Sequence, residues 1–239
     1  MLFKFFTLIS LCWTSFFLTS LPLGAFETTS KQAILVDVAT GTVLFEKNAD
    51  ERMAPSSMSK MMTIYQVFDA LKEGSLSLDD KFLVSEKAWR KGGSKMYVSV
   101  NTRVNVEDLI KGIIVQSGND ASIVIAEGLA GSEAAFALEL NELAKKLSMN
   151  NSSFVNSSGW PDPDHYTTAR DLSKIARATI NNFPDYYHYY SKKSFTYSGI
   201  KQFNRNPTLY RKLGADGLKT GRTQTAGYGL TASAIRKDR

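Results

Sequence analysis

The chain has 239 residues, with 29 lysines and arginines against 23 aspartates and glutamates for a formal net charge of +6, two histidines and one cysteine. Its basic residues are dispersed along the chain, which argues against a nucleic-acid partner and leaves an anionic polymer such as cell wall as the better match. His165 and His188 stand far from any HxH or HExxH spacing, so zinc hydrolysis is disfavoured and a Ser-His-Asp arrangement is poorly supplied.

The first 25 residues carry one charge, Lys4, then an apolar stretch from Phe5 to about Leu18 and small residues at Gly24 and Ala25. This pattern predicts a secretory signal peptide over residues 1–25, cut after Ala25. A membrane anchor is disfavoured, because the apolar run falls short of the ~20 residues a spanning helix needs. The only cysteine, Cys12, lies inside this segment after Leu11, where a lipoprotein signal needs a small residue. The exported remainder, 26–239, therefore has no thiol for a disulfide, a metal or a nucleophile. It is long enough for one domain with a sizeable core.

Two β-rich runs, Gln32 to Val38 and Thr42 to Glu46, flank Ala39-Thr40-Gly41 and predict a hairpin. After Pro55-Ser56, apolar residues at Met61, Ile64, Tyr65, Phe68 and Leu71 predict a helix from about Ser57 to Lys72, stopped by Gly74. Helical periodicity continues over 106–115, 121–130, 132–147 and 168–181. The pattern reverts to strands at 194–197, from Gly217 and over 228–234. Strands, then helices, then strands imply an α/β (α+β) fold, an antiparallel sheet built from both chain ends with an inserted helical lobe.

Three short motifs lie in order on this framework: Ser57-Met58-Ser59-Lys60, Ser117-Gly118-Asn119 and Lys219-Thr220-Gly221. None is specific alone. A second SxxK stands at Ser198 to Lys201 without an amphipathic helix behind it and is read as chance, and a second SxN stands at Ser148 to Asn150. The Lys-Thr-Gly occurs once. Ser57 and Lys60 fall one turn apart on one helix face, and Ser117 and Asn119 fall in a break between two helices. A serine hydroxyl needs a base and donors for the oxyanion. Lys60 serves as that base only when neutral, a fall from about 10.4 to roughly 7 or 8 that destabilises its charge by ~4 kcal/mol. Burial, the positive field at the helix N-terminus and a second cation at Lys219 all push in that direction. Ser117 can relay a proton to the leaving amine, and Asn119 can hold substrate or the Lys60 side chain. His165 is assigned to the turn chemistry of its Pro-Asp-Pro-Asp loop, and the Tyr186-Tyr187-His188-Tyr189-Tyr190 run to packing.

With these residues in place the chain resembles the low-molecular-mass penicillin-binding proteins, the serine D-alanyl-D-alanine carboxypeptidases. The likeness extends through Pro55 to Thr63, Gln116 to Ala121, Pro161 to Leu172, Asn204-Arg205-Asn206 and Gly217 to Leu230. It implies a β-lactamase/DD-peptidase-like fold in which Ser57 is acylated, Lys60 is the general base, and Ser117 and Asn119 line the cleft. Lys219 would steady charge and Thr220 would bind the substrate's terminal carboxylate. The backbone N–H groups of Ser57 and Arg222 would form the oxyanion hole, with the Arg222 side chain also reaching the carboxylate and Gly221 completing the motif. The implied partners are peptidoglycan stem peptides ending in D-Ala-D-Ala and β-lactams as covalent inhibitors, without metal or cofactor. The implied location is the periplasm or another extracytoplasmic site, with membrane association in a full-length protein.

The β-lactamase pattern would have SDN and a deacylating Glu four residues before an Asn; Gly118 and the lack of such a Glu favour a peptidase. A D,D-endopeptidase, a β-lactamase and a non-catalytic cell-wall-binding module remain the alternatives. Family members continue into another strand and a long helix, so the stop at Arg239 leads to the expectation of a fragment of a longer enzyme lacking them.

Overall fold

The computed structural model describes residues 27–224 and 226–236. The expected signal peptide, with Cys12, lies outside the described residues. The N-terminal hairpin forms as expected from β1 (Ala33–Val36) and β2 (Val43–Lys47). A 3-10 turn, Ser56–Ser59, then runs directly into α1 (Lys60–Glu73). The expected single helix from Ser57 is thus two helices of different winding, and Gly74 ends the second in the left-handed conformation. Met61, Met62, Ile64, Val67 and Phe68 are buried along α1. Phe68 sits among Phe183, Tyr186, Tyr189 and Tyr190, so the tyrosine-rich run supplies core packing.

Between α1 and the next long helix the chain makes β3 (Lys81–Leu83), α2 (Glu86–Arg90) and β4 (Arg103–Asn105), none of them anticipated from periodicity. Each is too short to show a repeat, and β3 pairs with β4 across the intervening α2 segment. The helical region continues with α3 (Val106–Lys111), capped by the Asn105 side chain, and a π-turn, Gly112–Gln116. Next come α4 (Asn119–Ala130), α5 (Glu133–Lys146), which Ser132 caps, and α6 (Ala169–Asn182), which Thr168 caps. Helix α1 packs against α4, α5 and α6, and this cluster is the core. Beyond α7 (Pro184–Tyr187), β5 (Ser194–Tyr197) pairs with β6 (Ile200–Phe203) through a tight turn at Ser198-Gly199. The chance SxxK is therefore a hairpin, with Lys201 exposed over the Phe203 ring.

Strand β7 (Ala215–Thr223) pairs antiparallel with β8 (Gly227–Ala234), with Lys219 opposite Thr231 and Gly221 opposite Gly229. The α+β class stands, but one detail of the expectation is corrected. Among the described residues the chain-end strands form two separate two-stranded sheets, β1–β2 and β7–β8, rather than one. The two hairpins have no mutual ladder, because β1 bonds only to β2 and β8 only to β7 among the strands described.

Candidate active site

The three motifs converge because three backbone segments meet at the 3-10 turn. Strand β7 crosses that turn so closely that a Cβ on Gly221 would lie 2.9 Å from the Pro55 carbonyl oxygen and 3.0 Å from Ser56 Cβ. Only glycine lets the strand approach there. Ser56, at φ +50°, turns the chain just ahead of Ser57, which stays partly exposed while Met58, Ser59 and Lys60 are buried.

Lys60 is fully buried, and its Nζ lies 3.0 Å from Ser57 Oγ, 2.7 Å from Asn119 Oδ1 and 2.6 Å from the Ser158 carbonyl oxygen. As an ammonium it donates to all three. As a neutral amine it has two N–H groups for Asn119 and Ser158 and one lone pair left, which faces the Ser57 hydroxyl. Burial lowers the Lys60 pKa well below its ordinary value, and the nearby cations Lys219 and Arg205 lower it further. Asp120 opposes them from α4.

A second lysine–serine pair lies beside the first. The π-turn delivers Ser117 in the left-handed conformation at φ +64°, and Lys219 Nζ donates to its Oγ at 3.0 Å and to the Thr220 carbonyl at 3.0 Å. Burial and then Arg205 lower the Lys219 pKa to about 7. Asn119 is held from two sides, since its Nδ2 donates to the Gly92 carbonyl at 2.9 Å and its backbone N–H to the Ser94 carbonyl at 2.7 Å. Both acceptors belong to the loop that follows α2. Asp120 pins that loop, its buried carboxylate accepting the N–H groups of Met96, Tyr97 and Val98.

Of the residues predicted from sequence, the structure gathers Ser57, Lys60 and Asn119 into one hydrogen-bonded set and Ser117 and Lys219 into a second, close enough for Lys219 to act on the Lys60 charge, with Thr220 and Gly221 following on β7. Arg222 is exposed, and its guanidinium lies over the Tyr228 ring at 4.9 Å, outside both sets. Two contributors were missed. Arg205, a bare member of Asn-Arg-Asn in the sequence, donates to Ser94 Oγ at 2.6 Å and acts electrostatically on both lysines. The Ser158 carbonyl carries no side-chain signature at all. His165 is more than a turn residue: its Nε2 is 2.7 Å from Ser59 Oγ, both groups being buried.

A buried amine against a partly exposed serine, with a second Ser–Lys pair alongside, is an arrangement that can support serine acyl transfer, and it stands on an α+β fold of the β-lactamase/DD-peptidase type. The chain belongs to the D-alanyl-D-alanine carboxypeptidase family, whose sequence model matches residues 19–239. It is 40% identical over 212 residues to the D-alanyl-D-alanine carboxypeptidase DacA of Haemophilus influenzae, covering 87% of this chain and 54% of that protein. Its structure resembles DacD of Francisella tularensis with a TM-score of 0.86 at 35% identity, over 89% of this chain and 64% of the other. It also resembles Listeria monocytogenes penicillin-binding protein D2, solved in the ampicillin-bound form, with a TM-score of 0.78 at 32% identity over 87% and 85% of the two chains. The chain spans about half the length of DacA and of similar curated relatives.

Proposed function

We propose that this chain removes the terminal D-alanine from peptidoglycan stem peptides in an extracytoplasmic compartment, and that β-lactams acylate the same serine. The observation that carries this reading is the buried Lys60 amine 3.0 Å from Ser57 Oγ, with its other two contacts taken by Asn119 and Ser158. Lys60 takes the Ser57 proton as Oγ bonds to the carbonyl carbon of the penultimate D-alanine. The C–N bond then breaks, and the leaving amine receives a proton through Lys60 or Ser117. Water attacks the acyl-Ser57 ester, the serine regains its proton, and the shortened peptide leaves as a carboxylate. Lys219, Thr220 and Arg205 provide donors and positive charge for the substrate's terminal carboxylate. A β-lactam amide enters at the same point, and its ring-opened acyl group stays on Ser57.

The test is covalent labelling with a fluorescent penicillin beside D-alanine release from a linear pentapeptide. Labelling and release by the wild type, both lost in Ser57→Ala, are expected. Labelling that persists in Ser57→Ala overturns the assignment, and rapid release of hydrolysed penicillin would favour a β-lactamase.

The charge on Arg205 gives a second expectation. Removing a cation that lowers both lysine pKa values raises both, so in Arg205→Gln the acid limb of the acylation pH profile moves to higher pH. Arg205 is exposed, so solvent screens its effect to a few tenths of a pH unit, and the difference from wild type shrinks at high salt. Acylation rates measured from about pH 5 to 10 at two ionic strengths check this.

A further inference from the structure

The loop between α5 and α6 presents the Ser158 carbonyl to Lys60, and a carbonyl on a loop is only as well placed as the loop is anchored. Asn156 Oδ1 accepts from the N–H groups of Ser158, Gly159 and Trp160, which folds the loop tip into a tight turn. The tip is tied to its surroundings at three buried points. Thr63 on α1 donates to the Ser157 carbonyl at 2.7 Å, and the Glu133 carboxylate at the start of α5 accepts Ser157 Oγ at 2.8 Å while pairing with Lys87. The third point is His165, which faces Ser59, the residue immediately before Lys60.

His165 reaches both sides of its loop at once. The Val155 N–H donates to Nδ1 at 3.2 Å, so Nδ1 is unprotonated and the ring proton sits on Nε2, directed at Ser59 Oγ 2.7 Å away. Phe154 packs edge-on to the ring. The imidazole therefore joins three segments: the outgoing limb at Val155, the returning limb at His165 and the nucleophile turn at Ser59. We propose that His165 is a positioning residue for acylation, clamping the 155–165 loop onto the nucleophile turn so that the Ser158 carbonyl holds the Lys60 amine and the loop keeps water from it. This inference rests on the acyl-transfer reading of Ser57 and Lys60.

The clamp requires a neutral ring, because a proton on Nδ1 would oppose the Val155 N–H. Burial lowers the His165 pKa to about 4 against the raising effect of Asp162, with a smaller downward push from Lys60, so the ring is neutral over any assay range above about pH 6. The other charges facing Lys60 are Lys219 on β7, Arg205 after β6, Asp120 on α4 and Lys91 after α2. Lys91 also touches the loop, its Nζ 4.1 Å from the Trp160 ring centroid. Lifting the loop therefore exposes that cation to solvent and weakens its lowering effect on Lys60, which acts in the same direction as the water that enters. If the loop lifts, water reaches Lys60, its ammonium is stabilised, and the amine is protonated at neutral pH. The consequence is specific: acylation slows at neutral pH, and its acid limb moves to higher pH. A fold that was merely loosened would lose rate equally at all pH values.

The experiment measures the second-order rate of fluorescent-penicillin acylation from about pH 6 to 10, with thermal melts, for wild type, His165→Phe, His165→Gln and Ser59→Ala. His165→Phe fills the space without either hydrogen bond and is expected to lose at least ~10-fold at neutral pH, with its acid limb moved up by about one pH unit. His165→Gln keeps an N–H for Ser59 and is expected to recover most of the rate. Ser59→Ala removes the other half of the contact and is expected to move the limb in the same direction, which keeps the test valid if His165→Phe does not fold. A folded His165→Phe or Ser59→Ala with the wild-type limb overturns the inference. Failure of the wild type itself to be labelled would instead overturn the acyl-transfer reading.

Discussion

Lys60→Met is expected to lower the rate of covalent penicillin labelling by at least ~10³-fold at neutral pH while the chain remains folded. Methionine approaches the length of the lysine stem but brings no basic lone pair, so the Ser57 hydroxyl loses the amine proposed to take its proton. Two opposing effects keep the fold near its original stability. Asn119 Oδ1 and the Ser158 carbonyl lose their Lys60 donor, a cost of ~1–3 kcal/mol for each acceptor left unsatisfied. Against this, the wild type must bury an amine that is protonated when unfolded. Because burial holds the folded-state pKa of Lys60 below its unfolded value, the unfolded chain binds the extra proton, and this contribution to stability grows as pH rises toward about 10.4 and is lost as pH falls. Lys60→Met removes that dependence, so its melting temperature is expected to change less with pH than that of the wild type. Labelling time courses and melts at several pH values measure both effects. A Lys60→Met variant that labels within about tenfold of wild type would show that another group takes the proton.

Much of this site was legible in the sequence because its parts are side chains of unusual type at fixed spacing. Ser57 and Lys60 lie one turn apart, Ser117 and Asn119 lie at a helix break, and Lys219 is followed by the glycine that close strand contact demands. The lysine pKa argument was legible too, since burial and a second cation can be reasoned from the motifs alone. What was hidden works through backbone groups or distant charge. The Ser158 carbonyl belongs to any residue type, and Arg205 acts on the lysines through space from a segment that shows no periodicity. Short elements were hidden for a related reason: β3 and β4 are three residues each and are fixed by their mutual pairing rather than by a repeat. The single sheet expected from both chain ends was inferred from the order of elements, which does not determine which strands share hydrogen bonds.

Gly159→Ala is the substitution expected to do most damage without touching a reacting group. Gly159 has φ +76°, and a Cβ there would stand 1.8 Å from the Ser56 carbonyl oxygen and 2.5 Å from its carbon. These are backbone atoms of the nucleophile turn, so no rotamer change relieves the overlap, and the loop must lift. The left-handed conformation alone costs a non-glycine residue ~1–2 kcal/mol. Gly199 separates the two contributions, because it has φ +75° and nothing within 4 Å of its Cβ position. Gly199→Ala is therefore expected to cost about 1 kcal/mol, and Gly159→Ala at least ~3 kcal/mol, a fall in melting temperature on the order of 10 °C. Lifting the loop also withdraws the Ser158 carbonyl from Lys60, so penicillin labelling is expected to slow by at least ~10-fold in Gly159→Ala and to stay unchanged in Gly199→Ala. Equal melting temperatures for the two variants would mean that the loop tip yields without strain, and the close contact between Gly159 and the nucleophile turn would then have no part in holding the site together.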